Sequence, residues 1–239
     1  MGRVRLGAVH TRVAGVLLAA GEGSRLGRPK ALVEFGGQTL AERGVRMLRA
    51  GGADPILVVT GAVPVRLERI HAVYNERWRT GMGSSLRAAL LALTGAAPAG
   101  PGAPLAAEGA DVGAVVVALA DQPLVGAGAV ERLIAAYRDG ASVVVAAYDG
   151  RPRNPVLLAR EHWPEVIATA VGDQGARAFL RARADLVTPI ECGDTGSPDD
   201  IDTAEDLERV ARRAGETGRR ADETGDQERE PRIVREERS

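Results

Sequence analysis

The residues best suited to chemistry in this chain form a loop of glycines and basic side chains near the start of the sequence. Residues 21–30 read GEGSRLGRPK and include Lys30, the one lysine among 31 lysine and arginine residues. Glycines let a backbone turn sharply and present N–H groups to an anion, and an ammonium group is a compact charge that can follow a moving phosphate. The loop therefore predicts a phosphate-binding site in which Arg25 and Lys30 supply positive charge.

An aspartate offers the opposite charge at a second position. Asp121 directly follows residues 114–120, an apolar run without charge, and precedes a turn that contains Pro123. Asp often forms such turns, which is one interpretation of this residue. The other is a metal site, because Mg²⁺ prefers one or two carboxylates together with substrate phosphates.

These residues must be positioned by the elements around them, and the apolar pattern predicts an α/β fold. Continuous aliphatic runs typical of buried strands occur at residues 13–19, 55–60, 114–120 and 142–148, and they alternate with helical spacing at residues 39–50, 84–93 and 128–139. Such alternation predicts βαβ units in three layers with a mostly parallel central sheet. Ligands bind at the carboxyl ends of such strands, where both the glycine-rich loop and Asp121 are expected.

The chain divides into an N-terminal extension at residues 1–12, one domain at residues 13–211 and a tail at residues 212–239. The tail is rich in both charges and nearly free of apolar residues, so we expect it to be disordered. Residues 94–111 are rich in Ala, Gly and Pro and predict a flexible loop.

Composition excludes several classes of protein. A net charge of −1 gives no sign of a nucleic-acid or membrane partner, and the single cysteine, Cys192, excludes an internal disulfide. The three histidines lie far apart in sequence, so a zinc site is unsupported. The apolar run at residues 13–20 is too short for a membrane span of about 18 residues or more and leads straight into the glycine-rich loop. We therefore expect a cytoplasmic protein.

The loop departs from two common phosphate-binding patterns. Its spacing is G-x-G-x-x-x-G rather than the dinucleotide-binding G-x-G-x-x-G, and it lacks G-x-x-x-x-G-K-[ST]. A NAD-binding Rossmann enzyme is thus the weaker alternative.

The stretch LAAGEGSRLGRPK resembles the signature L-x-A-G-x-x-x-R-[LM]-G-x-x-K of the molybdenum cofactor nucleotidyltransferase family, and within it most closely the CTP:molybdopterin cytidylyltransferase-like proteins. Further stretches match in order: NERWRTGMGSSLRAAL, ALADQPLV, RNPVLL, GDQGAR and DIDTAEDL. Together they cover the chain from residue 13 to residue 210. The family's fold is a three-layer, Rossmann-like nucleotidyltransferase fold, in agreement with the pattern above.

The resemblance implies a magnesium-dependent enzyme that transfers CMP from CTP to a phosphorylated, molybdopterin-type acceptor and releases pyrophosphate. It implies catalytic roles for Arg25, Lys30 and Asp121, and metal binding by Asp121 and Asp202, although DDIDTAEDL also suits a capped helix start. The nucleotide-binding residues that it implies are Leu18, Ala19, Ala20, Gly21, Gly23, Ser24, Arg25, Lys30, Gly83, Ser84 and Ser85.

The acceptor is implied less directly. Asn154 and Pro155 are expected on the acceptor side, where relatives more often carry Gly-His-Pro, and Arg177 is a candidate ligand of the acceptor phosphate. A molybdoenzyme or its maturation factor is the implied protein partner. Alternatives are a transferase of the same superfamily that uses GTP or a sugar phosphate, and a non-catalytic nucleotide-binding accessory protein. The form LAAG implies CTP, whereas related guanylyltransferases carry LAGG, with a glycine at the position of Ala20.

Overall fold

The computed structural model of this chain describes residues 12–96 and 111–227, with side chains as far as residue 215. The strands are β1 Arg12–Leu18, β2 Glu34–Phe35, β3 Gln38–Thr39, β4 Ile56–Thr60, β5 His71–Tyr74, β6 Val112–Leu119, β7 Val143–Tyr148, β8 Arg151–Ala159 and β9 Val187–Glu191. The α-helices are α1 Leu40–Ala50, α2 Met82–Leu93, α3 Ala127–Arg138, α4 Trp163–Thr169, α5 Arg177–Ala182 and α6 Ala204–Gln227. The N-terminal extension except its last residue, and residues 97–110 of the predicted flexible loop, lie outside the described residues.

Seven strands form one sheet in the order β5-β4-β1-β6-β8-β7-β9. All neighbours are parallel except the two pairs that contain β8, which runs antiparallel to β6 and to β7. The prediction of a three-layer α/β fold with a mostly parallel sheet is confirmed. In the stretches from residue 12 to 96 and from 111 to 227, no helix has the length and apolar content that crossing a membrane requires.

Two apolar layers cover the sheet, one on each face. Successive side chains of a strand point to opposite faces, so Leu17 of β1 joins one layer while Val16 joins the other. Helices α1 and α3 pack on the first face, and α2, α4 and α5 pack on the second. Because these strands are covered on both sides, they consist almost entirely of aliphatic residues, which is the pattern visible in the sequence.

Helix α6 continues past residue 211 as far as Gln227, and the disordered tail at residues 212–239 remains a prediction. Arg212 lies 3.9 Å from Glu208 one turn earlier, and Arg213 lies 2.7 Å from Asp199. Ala214 packs against a small apolar cluster that includes Val210. Opposite charges at helical spacing favour a helix even without apolar content, so these contacts help the helix to extend past residue 211. Residues 228–239 are outside the part of the chain that is described.

Candidate active site at the carboxyl edge of the sheet

Three segments that are distant in sequence meet at the carboxyl edge of the sheet. Strands β1 and β6 are parallel neighbours with Leu18 opposite Leu119, so the glycine-rich loop and Asp121 leave the sheet side by side. The third segment leads into α6, and it is attached where the backbone N–H of Ile201 donates to the carbonyl of Asp121 at 2.8 Å. This bond brings Asp202 next to Asp121.

Lys30 links the three segments. Its Nζ lies 2.7 Å from Oδ2 of Asp121 and 2.5 Å from Oδ1 of Asp202. Arg25 lies over the other carboxylate oxygen of Asp202, with Nη2 3.0 Å from Oδ2. The side chains of Lys30 and Asp121 are only 21% and 22% exposed, so these pairs are shielded more than ordinary surface ion pairs. The structure therefore brings together the four residues to which the sequence assigned catalytic and metal-binding roles.

The electrostatics keep Lys30 and Asp202 ionised. Burial by itself lowers the pKa of Lys30, but the charges and hydrogen bonds of Asp121 and Asp202 outweigh it, and the pKa lies above its usual value. The hydrogen bond from Lys30 is the main reason why the pKa of Asp202 is lowered. Lys30 is consequently a cation and Asp202 an anion at neutral pH.

Asp200 is a third carboxyl group of the cluster, and Gln122 is its partner. Nε2 of Gln122 donates to Oδ1 of Asp200 at 2.8 Å. Burial first, and then the charge of nearby Asp121, raise the pKa of Asp200. Asp202 was predicted from the sequence as a metal ligand, whereas no role was predicted for Asp200 or Gln122. The signal for Gln122 was its position directly after Asp121.

The carboxylates fit a divalent cation. Oδ1 of Asp121 is buried and accepts no hydrogen bond from the residues described, and an ammonium group already lies between Asp121 and Asp202. Within residues 12–96 and 111–227, no three His, Cys, Asp or Glu side chains form a complete metal cage. A cation held here would have few protein ligands and would take the others from phosphates and water, which is how Mg²⁺ is usually bound.

The loop above the cluster has the backbone that an anion site needs. Gly23 and Gly27 have φ of 63° and 71°, and a Cβ atom on Gly23 would lie 2.2 Å from the carbonyl oxygen of Arg28, so only glycine fits there. The backbone N–H groups of residues 21–23 form no hydrogen bond with other backbone groups in the described part of the chain. Ser24 begins a short 3₁₀ turn that contains Arg25.

The three residues before the loop, residues 18–20, are buried and hydrogen-bonded to the neighbouring strand segment. Leu18, Ala19 and Ala20 are buried. The N–H of Ala19 donates to Val59 at 3.0 Å, and the carbonyl of Ala20 accepts from the N–H of Ala62 at 3.1 Å. Their backbone is thus fixed to β4 and to the residues that follow β4.

The predicted nucleotide-binding serines are held by an asparagine. Nδ2 of Asn75 donates to Oγ of Ser84 at 2.8 Å and to Oγ of buried Ser85 at 3.0 Å. A Cβ atom on Gly83 would lie 2.7 Å from the backbone of Ala170, so the start of α2 packs closely on the segment before α5. Ser84 and Ser85 lie at this edge of the sheet, but in the structure their hydroxyl groups stabilise the turn between β5 and α2. Sequence reasoning missed Asn75.

Two of the three predicted acceptor residues lie together, and Arg177 lies in a different segment. Asn154 and Pro155 form a bulge of β8, where the register with β7 shifts between Val145 and Ala146. Since β8 is antiparallel to β6, this bulge lies at the carboxyl edge near Asp121. Arg177 begins α5 and is exposed, and its GDQGAR segment packs against the start of α2 rather than against the bulge.

The fold and this cluster can now be compared with known proteins. A profile described as the MobA-like NTP transferase domain matches residues 15–187. The chain belongs to this family. It is 36% identical over 212 residues to nicotine blue oxidoreductase of Paenarthrobacter nicotinovorans, covering 83% of this chain and 96% of that protein. It is 34% identical over 139 residues to a probable molybdenum cofactor guanylyltransferase of Opitutus terrae, covering 58% of this chain and 62% of that protein.

Solved structures of other proteins show the same fold. The homologue of Mycobacterium tuberculosis Rv0371c from Mycobacterium sp. strain JC1 has a TM-score of 0.71 and 30% identity, over 87% of this chain and 98% of that one. Rv0371c of M. tuberculosis in complex with manganese has a TM-score of 0.64 and 23% identity, over 84% of this chain and 99% of that one. The chain is therefore a nucleotidyltransferase of the MobA-like superfamily.

Proposed function

We propose that this protein transfers CMP from CTP to a phosphorylated, molybdopterin-type acceptor and releases pyrophosphate. The observation that carries the proposal is the position of Lys30, whose ammonium group lies between Asp121 and Asp202 directly below a loop with free backbone N–H groups. A phosphate chain on this loop would meet Arg25 and Lys30 on one side and the carboxylates, with their bound cation, on the other.

Strand order supports one direction for the substrates. The sheet runs β5-β4-β1-β6-β8 across this part of the molecule, with neighbouring strands about 4.8 Å apart. Phosphates belong at β1 and β6, where Lys30 and Asp121 lie. The start of α2 follows β5 and would receive the nucleoside, and the bulge at Asn154 and Pro155 in β8 would face the acceptor. The acceptor phosphate would then approach the α-phosphorus from the side opposite to the one on which pyrophosphate leaves, as in-line displacement requires.

In the reaction, an oxygen of the acceptor phosphate forms a bond to the α-phosphorus of CTP while the bond from the α-phosphorus to the bridging oxygen of pyrophosphate breaks. Arg25, Lys30 and the amides of the loop hold the β- and γ-phosphates and stabilise the negative charge that develops on pyrophosphate. Lys30 leaves its carboxylate partners to do so. Asp121 and Asp202 would hold Mg²⁺, which neutralises charge on the transferred group. No base is required, because the acceptor phosphate is already ionised near neutral pH.

The same comparisons support a proposal for the acceptor and for the protein partner. The relative named a molybdenum cofactor guanylyltransferase supports a molybdenum-cofactor acceptor and makes a molybdoenzyme or its maturation factor the proposed protein partner. We place the protein in the cytoplasm, where such a partner would be loaded.

A second candidate function is hydride transfer, because one relative with 36% identity is named an oxidoreductase. A third candidate function is nucleotidyl transfer from GTP in place of CTP. The loop spacing disfavours hydride transfer, since the loop lacks the dinucleotide-binding pattern. The base is a separate question that depends on Ala20.

One assay separates these functions. Purified protein is incubated with CTP, with GTP, or with NADH plus an oxidised quinone dye as hydride acceptor, each with and without Mg²⁺ and molybdopterin, while pyrophosphate release, NADH absorbance and product mass are followed. We expect pyrophosphate and a CMP-containing product only when CTP, Mg²⁺ and molybdopterin are all present. Oxidation of NADH without pyrophosphate release would instead establish hydride transfer.

The base is tested with Ala20→Gly. Ala62 holds the carbonyl of Ala20 in place, so the methyl group of Ala20 has a defined position. We expect this methyl group to leave too little space for a purine base. We expect the wild type to prefer CTP in kcat/KM by about 100-fold or more, and the variant to lose at least about tenfold of that preference. Equal use of both nucleotides by the wild type would contradict the assignment of CTP and leave nucleotidyl transfer intact.

A further inference from the structure

The two tryptophans of this chain have very different surroundings. Aromatic residues make up only 3% of the sequence, and Trp163 is a core residue with no exposed surface, whose Nε1 donates to the carbonyl of Leu158 at 3.1 Å. Trp78 lies in a short 3₁₀ turn, Trp78–Thr80, and is partly exposed. Its Nε1 donates to no acceptor among the described residues. Packing alone therefore explains Trp163 but not Trp78.

Trp78 lies at the carboxyl edge of the sheet, one strand away from the phosphate loop. A Cβ atom on Gly61, the residue after β4, would lie 2.5 Å from both Cβ and Cγ of Trp78, so the indole rests directly on the Gly61 backbone. The next residue, Ala62, donates its N–H to the carbonyl of Ala20 at 3.1 Å. The segment on which the indole lies is thus hydrogen-bonded to Ala20 at the same edge of the sheet.

The turn that carries Trp78 is held rigidly. The N–H of Asn75 donates to Thr60 at 2.9 Å, and the N–H of Trp78 donates to the carbonyl of Asn75 at 3.2 Å. Asn75 is buried, and its side chain also holds Ser84 and Ser85. The bonds of Asn75 therefore fix the backbone of Trp78 to β4 and to the start of α2 without any ligand.

A cation covers part of the indole. The guanidinium carbon of Arg79 lies 4.3 Å from the centre of the Trp78 ring, and Arg79 is exposed. Such a contact stabilises an aromatic ring that is open to solvent. The part of the indole that neither Gly61 nor Arg79 covers is neutral and includes an N–H donor without an acceptor among the described residues.

We infer that Trp78 forms one wall of the nucleobase site and contacts the base of the bound nucleotide, an inference that rests on the proposed function. A neutral indole does not recognise phosphate, whereas every base has a π-face that stacks on aromatic side chains. The phosphates occupy β1 and β6, so a nucleoside that extends toward β4 and β5 reaches Trp78. The free Nε1–H can donate to an acceptor on the edge of the base or ribose.

The test measures binding without turnover, using CTP and tripolyphosphate as probes in the presence of Mg²⁺ and the absence of acceptor. Wild type, Trp78→Phe and Trp78→Ala are titrated by calorimetry and by tryptophan fluorescence, and their melting temperatures are compared. Trp78→Phe keeps an aromatic ring and leaves Trp163 as the only tryptophan, so it serves as the matched control for both folding and tryptophan signal.

We expect CTP to change the fluorescence of the wild type and not that of Trp78→Phe. Trp78→Ala should bind CTP about tenfold more weakly or worse, a loss in the range of base–aromatic stacking, while its affinity for tripolyphosphate stays within twofold of the wild type. Equal CTP affinity in wild type and Trp78→Ala would overturn the inference and leave the proposed function standing. Equal weakening of CTP and tripolyphosphate would also overturn it, because Trp78 would then only support the loop. A wild type that binds tripolyphosphate but not CTP would overturn both.

Discussion

Two charged clusters of this molecule look alike in composition and differ in how completely their groups are paired. Near β9, Arg132 grips Asp194 with two parallel hydrogen bonds of 2.6 Å and donates a third to the carbonyl of Glu191 at 2.8 Å. At the carboxyl edge, Lys30 holds Asp121 and Asp202, yet Oδ1 of Asp121 accepts nothing from the described residues. Both carboxylate oxygens of Asp194 are therefore paired, whereas one carboxylate oxygen of Asp121 has no partner among the described residues.

The difference indicates what each cluster is for. The Arg132 pair is exposed and lies on the surface between α3 and the end of β9, where a saturated pair contributes modestly to the native fold. The Lys30 cluster is shielded and has more carboxyl groups than cations: Lys30 pairs with Asp121 and Asp202, Arg25 pairs with Asp202, and Asp200 lies close enough to interact with Asp121 and Lys30. Buried polar groups are normally paired, so the surplus favours a site that is completed by a ligand.

The largest expected effect comes from removing that surplus charge. We expect Asp121→Asn to lower kcat/KM for nucleotidyl transfer by about 100-fold or more, the range of a single electrostatic group in an active site, and to weaken the dependence on Mg²⁺. An amide keeps the shape of the carboxylate but not its charge. Steady-state pyrophosphate release across Mg²⁺ concentrations measures this, with the melting temperature as control. Activity that keeps the wild-type response to Mg²⁺ would place the metal elsewhere.

A smaller loss is expected when Lys30 keeps its charge and changes its shape. The ammonium group lies within 2.7 Å of two carboxylates, and a planar guanidinium cannot occupy the same point. Lys30→Arg should therefore lower kcat/KM by about tenfold or more with little change in melting temperature. Activity within twofold of the wild type would show that Lys30 acts only as a surface charge.

The matched experiment on the complete cluster should change stability and leave catalysis alone. Arg132→Ala removes the bonds to Asp194, which are exposed, so we expect the melting temperature to fall by no more than about 3 °C and kcat/KM to stay within twofold. Differential scanning fluorimetry and the pyrophosphate assay measure both. A large loss of activity would mean that the two clusters are coupled, and the contrast drawn between them would be wrong.

Burial of a strand on both faces decides how well that strand could be predicted from the sequence. The central strands β1, β4, β6 and β7 are covered on both faces, and their continuous aliphatic runs predicted them closely. Strand β5 alternates between half-buried and exposed residues, and β8 begins with RPRN before its buried half, so neither shows an aliphatic run along its whole length. Edge position and an antiparallel neighbour are tertiary properties that local composition does not carry.

The site could be predicted in a similar, partial way. Arg25, Lys30 and Asp121 are gathered because parallel strands deliver their following residues to one edge, a rule that needs only the order of elements. Asp202 is brought there by the bond from Ile201 to Asp121, which the order of elements does not show. The roles of Ser84 and Ser85 could not be predicted, since the hydrogen bonds from Asn75 depend on how the turn after β5 closes. These assignments of function remain predictions for the experiments above.

The smallest expected effect concerns the end of α6, where a pairing like that of Arg132 adjoins the functional cluster. Arg213 lies 2.7 Å and Arg209 3.5 Å from Asp199, three residues before Asp202. Removing residues 216–239 leaves both contacts and should shift the melting temperature by less than about 2 °C. Removing residues 212–239 also deletes Arg213 and the packing of Ala214, so we expect a further fall of about 2 °C. In both truncations kcat/KM should stay within threefold, because Arg209 still holds Asp199 and Lys30 still holds Asp202. A greater loss of activity in the longer deletion alone would show that Arg213 positions the Asp202 loop, and would extend the active-site support into the helix.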